Sequence, residues 1–256
     1  MFQKMLFTIL ITISVLLTVT VVFPHEKGFS VTIPQATMPP EIDGIGKDVI
    51  WQFAPEVTID NINTGGKVKK GEVSTAKAVY DKDNIYVLFI NNSLDTRKMQ
   101  MVAQKHDQDI WKDEENELFI DTEHDAAKPY YHIMINAKNV TQDAHNGGAE
   151  NGWEAKLESV TKINQADKNW VLEIKIPFKD LEVKKMPVGK TWGWNFNRHI
   201  VPKGGKGTWT GWATTGASFH TPNRFGDLNF GTDMFVVNAR DKISTTWGAL
   251  KALKLQ

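Results

Sequence analysis

From Asn169 to Ile176 the chain reads NWVLEIKI, and its apolar positions alternate. Trp170, Leu172, Ile174 and Ile176 fall on one side, and Val171, Glu173 and Lys175 on the other. A period of two is that of a β-strand with one face buried and one face wet. Pro177 ends it, because proline has no N–H to give to a ladder. Stretches rich in β-branched and aromatic residues predict further strands at 74–80, 84–91, 116–121, 130–136, 153–161, 191–198 and 227–230. Asp81-Lys82-Asp83-Asn84 separates the first two with hairpin chemistry, since Asp and Asn tolerate left-handed backbone. Helical spacing is confined to two places. Residues 178–181 make a turn at most, and 244–255 (STTWGALKALKL) place Trp247, Leu250 and Leu253 on one face of a short helix. With no internal repeat and no linker rich in Pro, Gly or Ser, the pattern predicts an all-β fold. The expected form is a single antiparallel β-sandwich or jelly roll over 29–231, with 232–256 as a tail.

A different pattern occupies 1–24. Lys4 is followed by the apolar run MLFTILITISVLLTVTVVF, a charged region and then a hydrophobic one, as in a secretory signal peptide. The run also approaches the roughly 20 residues that span a bilayer. The expectation is therefore an exported chain, periplasmic or extracellular, with this segment either cleaved or kept as an N-terminal membrane anchor helix.

Composition narrows the chemistry. The 256 residues hold 30 Lys+Arg against 30 Asp+Glu, a net charge of zero, which argues against a nucleic-acid binder. The absence of Cys removes disulfides, thiolate metal sites and cysteine nucleophiles. The His positions show no HExxH spacing, and there is no GxSxG or P-loop, so no common hydrolase signature is present. Nine Trp is a high number and calls for a use. Trp51, Trp170, Trp192 and Trp194 lie in strand-like phrases and read as core. Trp111 sits in DQDIWKDEEN, a charged and turn-like setting where a core role is less natural. Acids crowd 106–125. Carboxylates so clustered suit a hard cation, and Asp107, Asp109 and Asp113 are the candidates for a structural calcium.

Six phrases stand in order along the chain: PPEIDGIGKDVIW (39–51), AVYDKDNIYVLF (78–89), HDQDIWKDEENELFID (106–121), WVLEIKIPFKDL (170–181), WGWNFNRH (192–199) and FHTPNRFGDLNF (219–230). Together they resemble the family 9 carbohydrate-binding modules and their DOMON-like relatives. The resemblance implies a β-sandwich that grips sugar without catalysis. Such modules usually accompany a secreted polysaccharide-degrading enzyme, and here the module would stand alone. In the family's sugar binders two aromatic rings sandwich a terminal sugar and an acid takes its hydroxyls. Trp111 falls on the first ring, Glu117 on the acid and Phe219 on the second ring, which is tryptophan in the best-known binders. A basic side chain of the family falls on Met134, which cannot bind a hydroxyl. His132, Asn136, Asn195, Asn197 and Arg198 are the candidates to complete the polar rim, although Arg198 equally suits a buried ion pair. The partner expected is a poly- or oligosaccharide.

Two other readings compete. Relatives of the same sandwich hold haem b for electron transfer, and Lys98-Met99-Gln100-Met101 with Lys190 or His199 could supply axial ligands. An envelope interaction protein whose sugar site has decayed would account for Met134 and for Phe at 219.

Overall fold

A computed structural model describes residues 28–145 and 152–235. The signal or anchor expected at 1–24 and the helix expected at 244–255 lie outside the described residues. Among those described, no helix is long and apolar enough to cross a membrane. Thirteen strands form one sheet: β1 (Ser30–Ala36), β2 (Glu56–Ile59), β3 (Asn61–Ile62), β4 (Ser74–Tyr80), β5 (Asn84–Asn92), β6 (Glu115–Asp121), β7 (Tyr131–Asn136), β8 (Thr141–His145), β9 (Glu158–Asn164), β10 (Asn169–Pro177), β11 (Thr191–Ile200), β12 (Thr208–Gly211) and β13 (Gly226–Phe235). Its order is β8-β7-β6-β11-β13-β1-β4-β5-β10-β9, with β2 beside β4 and β12 joining β11 to β3.

The sheet curls at β1 so that its two halves face each other across one core. Phe89 of β5 meets Phe196 of β11 edge-on at 5.8 Å, and Tyr80 of β4 meets Phe230 of β13 at 5.0 Å. The alternation in β10 carries through as read, with Trp170, Leu172, Ile174 and Ile176 buried in this core. Trp51, Trp192 and Trp194 are buried as well. All ladders are antiparallel except the two made by β1, which runs parallel to β13 and, at Gln35 opposite Tyr80, to β4. The expected strand at 153–161 starts later, at Glu158. Five strands (β1, β2, β3, β8 and β12) were not anticipated, being short or mixed in composition.

The outer face of β10 departs from expectation. Glu173 lies on the face expected to be wet, yet it is fully buried. Its carboxylate accepts from Gly44 N–H at 2.8 Å, Asp43 N–H at 3.2 Å and the Trp51 indole N–H at 2.9 Å. The chain between β1 and β2 thus lies across the sheet and builds a second small apolar cluster, in which Ile50 and Trp51 meet Val79, Tyr86 and Leu88.

Candidate functional site

The site begins with the direction of side chains on β6. Leu118 and Ile120 belong to the core, so Glu115, Glu117 and Phe119 project from the opposite, outer face. Partners directly across an antiparallel ladder share a face. Glu117 stands opposite Met134 of β7 and Asn197 of β11, and Phe119 opposite His132 and Asn195. His199 of β11 is opposite Trp209 of β12, which adds an indole to the same surface.

Loops roof this face. A 3-10 turn, Ile110–Lys112, buries Ile110 against Ala103 and Met134 and turns Trp111 outward, leaving it 47% exposed. The indole N–H donates to Asp109 at 3.3 Å, and the Lys112 ammonium lies 4.9 Å from the ring centroid. The Trp111 carbonyl accepts from His199 Nδ1–H at 2.9 Å. The His199 ring stacks on Trp209 at 3.5 Å. Gly207 closes the other side, where an added Cβ would come within 2.0 Å of Nε2. So enclosed, His199 is pushed by burial down to about 4, and its neutral ring acts as a fixed donor.

Between these parts lies a cavity of about 410 Å³ lined by Trp111, Glu117, His132, Met134, Trp209 and Phe219, with Asn63, Gln142 and the 217–220 loop at its rim. Glu117 Oε2 and His132 Nε2 are 2.5 Å apart, and both residues are buried. His132 stacks on Phe119 at 4.1 Å. Phe219 is only 6% exposed, wedged between Trp209 at 5.4 Å and Phe119 at 6.1 Å. It therefore gives the cavity part of a wall rather than an open ring face. His220 is pushed down to about 4 by burial and by His132. Glu115 is held well above the carboxylate range by burial and by the Glu117 charge beside it. The arrangement offers one exposed indole, a buried carboxylate–imidazole pair and further aromatic wall. These are the elements that meet a ligand with apolar faces and a rim of hydroxyls.

The structure brings Trp111, Glu117, His132 and Phe219 to this one cavity and leaves the other candidates out. Arg198 points into the sandwich, because it alternates with Asn197 on β11. It pairs with Glu114 at 2.6 Å and donates to Ser74 Oγ at 2.8 Å and to the Asn92 carbonyl at 2.7 Å, the ion-pair role. Asn136 binds Asp113 at 3.0 Å and caps the following turn through Val140 N–H at 2.9 Å. Asn195 is held by both backbone groups of Ala213, at 3.0 and 3.2 Å. Asn197 is fully buried beneath Gly211, and its amide has no hydrogen-bond partner among the described residues. These four side chains do not line the cavity. Trp209 and His220 do, and the sequence reading missed them. Trp209 gave a signal in alternating with Thr208 and Thr210, but a strand of four residues is too short to read.

The calcium candidates do not form one group. Asp113 accepts from Val102 and Ala103 N–H at 2.7 and 2.9 Å, Asp109 pairs with Lys112, and Asp107 turns toward His106. This donor set does not fit a shared ion. Two of the haem candidates are engaged elsewhere. Of these, Met99 is buried in the core and His199 is enclosed as described, so neither of the two presents an open axial ligand.

Comparison with known proteins adds the following. A family model described as carbohydrate family 9 binding domain-like matches residues 42–231. No curated protein matches. Among solved structures, a family 9 carbohydrate-binding module from Caldicellulosiruptor kristjanssonii in complex with cellotriose aligns with a TM-score of 0.60 at 18% identity. That alignment covers 82% of this chain and 96% of that one. The glucose complex aligns at 0.58 and 18% identity, covering 82% and 97%. A protein from Bacteroides uniformis named as carbohydrate-binding aligns at 0.62 and 18% identity, covering 79% and 99%. At this identity the structural likeness speaks for the fold.

Proposed function

Because the chain belongs to the carbohydrate family 9 binding domain-like family, we propose that it is an exported, non-catalytic module that holds a poly- or oligosaccharide in the cavity lined by Trp111, Glu117 and Trp209. The observation that carries this reading is the half-exposed Trp111 ring at the mouth of a cavity whose floor holds Glu117 and His132. An indole face covers the C–H side of a pyranose, and the carboxylate accepts from its hydroxyls. Export is supported by the apolar run after Lys4.

Calorimetric titration of the full chain with a panel of oligosaccharides tests the proposal. Cellotriose and glucose are the first probes, since solved relatives of the same fold hold them. Saturable binding is expected, and Trp111→Ala should weaken it at least about tenfold, because exposed aromatic anchors dominate such contacts. The indole is mostly outside the core, so thermal stability of the variant should stay close to wild type. A wild type that binds no saccharide at millimolar concentration sinks the reading, as does full affinity in the variant. The first of these outcomes would favour the envelope interaction protein instead. Met134 in the cavity wall and the covered face of Phe219 are the observations behind that alternative.

A further inference from the structure

Among the described residues, the strands at the two ends of the curled sheet, β8 and β9, share no backbone ladder. Side chains close the seam near its β9 side. Asn139 Nδ2 donates to the Ser159 carbonyl at 2.8 Å, Ser159 Oγ–H to Asn139 Oδ1 at 2.9 Å, and Thr161 Oγ1–H to the Ala137 carbonyl at 3.2 Å. Along the same seam a group of ionisable residues converges from three directions. His106 Nε2 lies 2.9 Å from Glu154 Oε2 and 3.3 Å from Asp107 Oδ2. One ligand atom from each of the three lies within 4.8 Å of the others.

A second, independent feature points into this group. Asp143 of β8 is 4% exposed, and its Oδ2 accepts from the N–H of Ala155, the residue after Glu154, at 3.4 Å. Its Oδ1 is buried and has no hydrogen-bond partner among the described residues, and the same holds for Asp107 Oδ1. Asp143 is near enough to interact electrostatically with His106, Asp107 and Glu154. Two carboxylate oxygens kept from water without a donor are costly, and the Asp107 charge disfavours that of Asp143. A cation between them removes both penalties.

We propose that His106, Asp107, Asp143 and Glu154 bind one divalent cation of the zinc class, which clamps β8 to the segment entering β9. The donor set is one imidazole nitrogen with carboxylate oxygens, the mixture that suits zinc rather than an all-oxygen cation such as calcium. A tetrahedral ion with bonds of about 2.0–2.1 Å spaces its ligands about 3.3 Å apart, close to the separations already present around His106 Nε2. The other ring nitrogen is fixed by Thr141, with Nδ1 and Oγ1 2.8 Å apart. Such a partner orients a metal-binding histidine and leaves Nε2 free to ligate.

The test uses the full chain without a histidine tag, stripped by chelator and titrated with zinc alone. One equivalent should bind and raise the melting temperature in a saturable way. His106→Gln and Glu154→Gln should each weaken binding at least about tenfold and remove that rise. The His106 and Glu154 side chains are 42% and 60% exposed, so both variants should fold as the wild type does. The proposal is overturned if the wild type takes up no stoichiometric zinc, or if His106→Gln binds it equally well. Tighter binding of calcium than of zinc, insensitive to the same substitution, also overturns it. None of these outcomes bears on saccharide binding, which is read in a separate titration.

Discussion

Arg198 is fully buried beside Glu114, which also accepts from the Trp170 indole at 3.2 Å and from Val201 N–H at 2.9 Å. One carboxylate thereby ties together β10, β11 and the start of β6. Removing the one cation paired with it among the described residues leaves a charge in the core without that counterpart. Arg198→Met should cost about 3–5 kcal/mol in urea denaturation, while the paired replacement Arg198→Met with Glu114→Leu should recover part of the loss. A loss within 1 kcal/mol of zero, on the order of a surface pair, would refute the structural role. This residue shows the limit of reading the site from sequence. Asn197 and Arg198 are neighbours, and a strand cannot send both to the same side. Which one faces out depends on how β11 is placed against β6, a matter of tertiary packing. Trp111 was legible as a lone indole among charges, whereas Glu117 and Phe219 were placed by the resemblance of their phrases to the family 9 modules. Trp209 was not legible, because its value comes from stacking on His199, ten positions earlier.

At the scale of elements, strands with an unbroken alternation were legible and those fixed by partners were not. β5 and β10 pair along nine residues, from Asn169 opposite Asn92 to Pro177 opposite Asn84, and their own periodicity locates them. β3 and β12 meet through only two pairs, Thr210 with Ile62 and Gly211 with Asn61, so their existence depends on neighbours far away in sequence. The outer face of β10 was misread for a related reason: alternation reports two faces but not what covers the second one. The strap over that face is anchored by the Glu173 carboxylate. Glu173→Ala should leave the Gly44 and Trp51 N–H groups without acceptors and cost about 2–6 kcal/mol, given about 1–3 kcal/mol for each buried donor left unpaired. The Trp51 environment should loosen at the same time, which indole fluorescence and hydrogen exchange at Gly44 can follow. Unchanged protection at Gly44 would mean that apolar packing of Ile50 and Trp51 alone holds the strap.

For the molecule as a whole, the enclosed His199 couples folding to pH in the range where imidazoles titrate. In the folded chain burial holds it at about 4, below its ordinary 6.5. Between these values the unfolded chain takes up a proton that the folded one does not, so acidification favours unfolding. The stability this group contributes is complete above pH 6.5 and falls by about 1.4 kcal/mol for each unit below it. Asp121 works in the opposite sense, because burial raises it to about 6 and the folded chain takes up that proton first. The wild-type profile is therefore a sum, and a difference between two proteins isolates the histidine. His199→Asn keeps a donor near the Nδ1 position for the Trp111 carbonyl but cannot be protonated. Urea titrations from pH 7 to pH 4 should show the wild type losing ground to this variant steadily below pH 6.5. A gap that stays constant across the range would mean that the imidazole is open to solvent in the folded chain. Trp111 would then lack its fixed backbone anchor, and the exposed indole would be set by the Ile110–Lys112 turn alone.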